Sequence, residues 1–144
     1  MKTVGLASDH AGFDLKQQVK AWLEANGYAY KDFGAFTGDR CDYPDYAHPL
    51  AEAVEAGTVE GGIALCGSGN GISMTLNKHQ GIRAAICWNG ELATLAREHN
   101  DANVLVLPAR FVDRRTAEEI LNAFLSTAFS GGRHLQRINK IPLH

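Results

Sequence analysis

Five short apolar runs, each parted from the next by an amphipathic or polar stretch, leave this chain few ways to fold. Residues 3–8 (TVGLAS) and 62–66 (GIALC) read as buried strands, and 82–88 and 104–108 (VLVLP) as two more. Residues 28–33 form a weaker strand, because Lys31 and Asp32 interrupt it. In between, 12–26 carries Leu15, Val19, Trp22 and Leu23 at helical spacing, and Gly27 supplies the stop. Further helices are expected over about 45–56 and 91–98. A long one runs from an Asp113 cap to about 129, with Ile120, Leu121, Phe124 and Leu125 as its apolar face. The tail from 131 restarts after Gly131 and Gly132.

Strands separated by helices imply βαβ units, right-handed crossovers and a mostly parallel sheet covered on both faces. The natural arrangement is a doubly wound α/β domain with its five strands in the order 2-1-3-4-5. Crossovers from the first and third strands then leave in opposite directions and open a crevice at their carboxyl ends. The 144 residues suit one such domain, and no linker or repeat divides them. With 45% hydrophobic and 21% charged residues, disorder is not expected. A net charge of −2 lacks the basic excess of a nucleic-acid binder. No apolar run nears the roughly 20 residues that span a bilayer, and the start lacks a signal peptide's layout, so a cytoplasmic protein is expected. Cys41, Cys66 and Cys87 are odd in number and form no CxxC, which supports neither a disulfide framework nor a cysteine zinc site.

The residues just beyond the first and third strands are the chemically loaded ones: Asp9 and His10 at one, Cys66-Gly67-Ser68-Gly69-Asn70-Gly71 at the other. The glycine loop ends a strand and opens a helix, so its N–H groups suit an oxyanion or serve a tight turn. It is no P-loop, because the Lys-Ser/Thr pair is missing. Cys66 beside a helix start reads about equally as a thiolate base or nucleophile and as a buried strand-end thiol. Asp9 can orient an imidazole or bind a sugar hydroxyl, or simply cap the next helix, while His10 can donate to a phosphate. Arg133 and Arg137, four apart, form either a phosphate clamp or a solvated basic face. His99 closes the helix after the fourth strand. That helix returns it to the amino edge, opposite the crevice, and the last long helix delivers both arginines there too. If these residues serve the Cys66 site, they serve a neighbouring subunit's. That predicts a homo-oligomer, most simply a two-fold dimer.

The segments SDHAGFDLK (8–16), DYPDYA (42–47), GGIALCGSGNGISMTLNK (61–78), GIRAA (81–85), REHNDANVL (97–105) and GGRHLQRI (131–138) together resemble the type B ribose-5-phosphate isomerases, a group within a wider family that includes galactose-6-phosphate isomerase subunits. The resemblance covers essentially the whole chain. It implies a Rossmann-like three-layer α/β/α sandwich, a single sugar-phosphate isomerase domain over 1–144, and sites built between subunits of a dimer or tetramer, to which the tail from about 131 contributes. No metal or organic cofactor is implied. Carried over to these positions, Cys66 is the base that moves a proton between C1 and C2 of ribose 5-phosphate and ribulose 5-phosphate. Ser68, where many relatives have Thr, hydrogen-bonds the enediolate, and the amides of 67–71 form the anion hole. His99, assisted by Asp9, opens the furanose ring. His10, Arg133 and Arg137, with Arg110 added, clamp the phosphate, and Tyr43 and Asn100 line the sugar site. Trp88 and Asn89, at the rim, bear on which sugar fits. The alternatives are a six-carbon sugar phosphate such as allose or galactose 6-phosphate, a covalent Cys66 nucleophile, and a non-catalytic sugar-phosphate-binding protein.

Overall fold

The computed structural model describes residues 1–143; His144, the last residue of the tail, lies outside the described residues. The order is β1 (Thr3–Ser8), α1 (Phe13–Ala25), β2 (Ala29–Asp32), α2 (Pro44–Glu55), β3 (Gly61–Cys66), α3 (Asn70–Leu76), β4 (Ala84–Ile86), α4 (Gly90–Asn100), β5 (Val104–Pro108), α5 (Arg114–Ser126) and α6 (Arg133–Ile138). Local signals stop α1 and start α5 where the sequence implies, whereas α5 ends at Ser126, short of the expected 129. Gly27, at φ +80°, turns the chain off α1, and the Tyr28 N–H then donates to the Leu23 carbonyl at 2.9 Å. The Asp113 carboxylate accepts from the Thr116 N–H at 2.8 Å and starts α5.

All pairings in the five-stranded sheet are parallel, and the order is 2-1-3-5-4. This corrects the expected 2-1-3-4-5: β5 lies beside β3, and β4 is the edge. Burial explains the exchange. Every residue of β5 is buried, as an apolar strand with neighbours on both sides should be. By contrast β4 is three half-buried residues, shorter than the expected 82–88, and suits an edge. The crossovers follow. Because β4 to β5 steps back towards β3, a right-handed connection puts α4 on the face of α1, where α5 also packs, instead of with α2 and α3.

Alternation along the strands splits the core accordingly. Val4, Leu6, Ile63, Leu65, Leu105 and Leu107 pack under α1, α4 and α5. The smaller Ala7, Ala64, Cys66, Val104 and Val106 face α2 and α3. The switch point between β1 and β3 survives the reordering, since β1 leads away to β2 and β3 leads the other way.

The loop beside that switch point is held by a buried ion cluster. Lys16 is fully buried on α1, donating to Asp32 Oδ1 at 2.8 Å and to the Ala35 carbonyl. Lys20 pairs with the other carboxylate oxygen, and the Gly34 N–H donates to Oδ1 at 2.8 Å. Burial pushes the Lys16 amine below its ordinary value while Asp32 pulls it back up. For Asp32, burial acts upward, but the hydrogen bonds from Lys16, Lys20 and Gly34 outweigh it and hold the carboxyl below the ordinary range. Asp32→Ala would strand the buried Lys16 charge, and a loss of about 3 kcal/mol is expected in urea unfolding at pH 7. Because the folded carboxyl is the stronger acid, its contribution is full above about pH 4 and fades as the pH falls further, so wild type and variant should converge in acid. Equal urea midpoints at pH 7 would count against this role.

Candidate active site

The carboxyl edge gathers ten of the sequence-predicted residues. Ser8 pairs with Leu65 in the β1–β3 register, so Asp9 and Cys66 come next at the carboxyl edge, with Cys66 on the face towards α2 and α3. Both are buried. Asp9 Oδ1 accepts from the Gly12 N–H at 3.0 Å, which ties the carboxylate to the turn before α1; the N-cap of α1 is Gly12 itself, with no side-chain cap, so Asp9 does not cap that helix. His10 is braced by the backbone of Cys41, with Nδ1 3.2 Å from the carbonyl oxygen and 3.3 Å from the amide nitrogen. When Nδ1 accepts from that amide, Nε2 carries the proton as a donor.

The loop after Cys66 is shaped by what lies against its glycines. Gly69, at φ +81°, turns the chain into the short helix α3. Ser68 is exposed, and its hydroxyl accepts from the Asn70 N–H at 3.2 Å. Arg110 donates its N–H to the Gly67 carbonyl at 3.0 Å, and its guanidinium nitrogen would lie only 3.1 Å from a Cβ at Gly67. A Cβ at Gly71 would overlap the Tyr43 ring and come within 2.6 Å of its hydroxyl. Gly67 and Gly71 therefore let Arg110 and Tyr43 close over the loop. Beside it, Ser68, Asn70, Ile86, Trp88, Pro108 and Phe111 line a cavity of about 490 Å³. That agrees with a rim role for Trp88; Phe111, 75% exposed, went unnoticed in the sequence, where it followed a strand end with no periodic signal.

The other four candidates stand apart. His99 and Asn100 end α4, whose 11 residues run about 16 Å back from the carboxyl edge. Arg133 and Arg137 lie on α6, which packs against α4. Asn100 lines a cavity of about 340 Å³ with residues that include Asn77, Arg83 and Ile141. One chain thus carries a thiol-and-amide group at one edge and an imidazole-and-guanidinium group at the other.

Of the remaining thiols, Cys87 is buried on the edge side of the sheet, and burial pushes it up to about 11. Cys41 offers its backbone to His10. Among the described residues, no group of three or more His, Cys, Asp or Glu side chains could hold a metal ion. No helix among them is long and apolar enough to cross a membrane.

The model of the ribose/galactose isomerase family matches residues 4–141, and the chain belongs to that family. It is 44% identical over 141 residues to ribose-5-phosphate isomerase B of Escherichia coli, covering 98% of this chain and 95% of that protein. Among solved structures, a ribose 5-phosphate isomerase from Thermotoga maritima superposes with a TM-score of 0.96 at 45% identity over 97% of each chain. Ribose-5-phosphate isomerase B of Mycoplasma genitalium, solved with bound ribulose-5-phosphate, gives 0.93 at 39% identity, covering 96% of this chain and 93% of that one.

Two outcomes follow. Native protein treated with iodoacetamide at pH 8 should remain unmodified at Cys87, as read by peptide mass spectrometry, because the reactive thiolate is scarce three pH units below that value. Gly71→Ala should displace the Tyr43 ring and lower kcat/KM for the sugar phosphate by roughly tenfold to a hundredfold while the fold persists; wild-type kinetics would show that the ring is free to move aside.

Proposed function

We propose that this protein interconverts D-ribose 5-phosphate and D-ribulose 5-phosphate through an enediolate. The observation that carries the reading is the alignment of Cys66 with Asp9 beneath a glycine loop closed by Tyr43 and Arg110. Its support from kinship is the 44% identity to the Escherichia coli isomerase. Aldose–ketose interchange removes a weakly acidic C–H proton and stabilises the resulting anion. The Cys66 thiolate takes the proton from C2 and returns it to C1. The 67–71 amides and the Ser68 hydroxyl donate to the enediolate oxygens, and preorganised donors of this kind often give the largest single contribution.

The distal phosphate supplies binding free energy that holds C1 and C2 against the base. His10 through Nε2, Arg110, Arg133 and Arg137 make up the clamp; Tyr43 and Asn100 contact the sugar. His99, aided by Asp9, opens the ring. Since His99, Arg133 and Arg137 stand at the edge away from Cys66, a complete site takes them from a second copy. The working form is therefore a homo-oligomer, a dimer or a tetramer, in the cytoplasm. The chemistry needs neither metal nor organic cofactor. A six-carbon sugar phosphate is the second reading, favoured by the open cavity between Trp88 and Phe111.

NMR of the purified protein with ribose 5-phosphate in D2O, without added metal, tests this directly. Ribulose 5-phosphate should form and deuterium should enter at C2, and Cys66→Ala should lower both by roughly a hundredfold or more. A silent wild type moves the test to allose and galactose 6-phosphates. Silence there as well would sink the isomerase reading in favour of simple binding or covalent thiol chemistry.

A further inference from the structure

The His99 ring is not held by the helix that carries it. Among the described residues no side chain hydrogen-bonds this exposed imidazole. It lies instead against His134 of α6, with ring centroids 4.4 Å apart and planes within 15°. The chain makes that contact by a specific route. The Ser130 N–H donates to the Glu98 carbonyl at 3.1 Å, which draws the tail to the end of α4. Gly131 and Gly132, at φ +70° and +62°, then reverse the chain so that His134 in the first turn of α6 lies against His99. A Cβ on either glycine would meet nothing within 4 Å, so both are there for their backbone angles and not for space. The end of α4 is itself anchored, since Arg97 donates to the Thr127 carbonyl at 3.1 Å and to Asp101 at 2.8 Å.

We propose that His134 is a positioning residue for ring opening: stacked on His99, it sets the plane of the imidazole that works on the cyclic sugar in a neighbouring copy's site. The inference rests on the role proposed above for His99. Ring opening moves a proton between the anomeric hydroxyl and the ring oxygen, and an imidazole free to spin about its side-chain bonds would seldom be aimed at either. The electrostatics agree. Burial, then His99, Arg133 and Arg137, push the His134 imidazole below its ordinary value, which disfavours a further cation between the two arginines. His134 also sits between the two clamp arginines on α6, which couples the phosphate grip to the ring-opening group through one short helix.

The test separates ring opening from proton transfer. Ribulose 5-phosphate is open-chain, so exchange of its C1 hydrogen with D2O needs no ring step. Conversion of ribose 5-phosphate does. His134→Ala should lower ribose 5-phosphate conversion roughly tenfold or more while C1 exchange stays within about twofold of wild type. His134→Phe, which keeps a flat ring, should recover most of the loss. Unchanged ribose conversion in His134→Ala would overturn the proposal, and so would a parallel fall in C1 exchange, which would assign His134 to the phosphate clamp or to the fold. A wild type that performs neither reaction removes the isomerase reading itself. Full ribose conversion in His99→Ala removes only the ring-opening role, and His134 with it, leaving Cys66 as base.

Discussion

The pairing of β1 with β3 is the constraint on which the rest depends. Parallel neighbours in register point equivalent residues to the same side, so the Ser8–Leu65 pair brings Asp9 and Cys66 out together at the sheet's end. Slipping that register by one residue would part the two at the sheet's end. The pair also marks the switch point, where no crossover covers the gap and a ligand can enter. Around it the sequence supplies small residues on one face, Ala7, Ala64 and Cys66, so that α2 and α3 come close enough to bring Tyr43 and the glycine loop over the thiol.

The elements were legible because each carries its own punctuation. The strand 104–108 is uninterrupted apolar sequence, Gly27 stops α1 and Asp113 starts α5. Neighbour relations were not, since periodicity says where a strand lies and not which strand lies beside it. The clue to the order was there in hindsight: VLVLP has no polar residue to show to water, whereas the run around Ala84 is short and ends at Trp88 and Asn89.

The site divides in the same way. Cys66 and the glycine loop stood out by position, and helix length sufficed to set His99 at the far edge. Contacts between distant segments left no such trace. A lysine one residue from Leu15 looks like a solvated flank until Asp32 is known to meet it. Tyr43 was known only through the family resemblance, and its seat on Gly71 belongs to tertiary structure. His134, between two arginines, gave no sign of the ring it would touch.

Both margins of the sheet are brief. β2 has four residues and bears Lys31 and Asp32, and β4 has three, so neither rim offers another chain a useful ladder of free amides and carbonyls. Copies of this protein are thereby steered from growing into a continuous sheet, a route that leads towards aggregates. The homo-oligomer proposed above would then be held by helices and loops, whose side chains can be chosen for one partner and one geometry. For a molecule whose imidazole and thiol lie at opposite ends of every copy, that selectivity separates a defined assembly from an open-ended one.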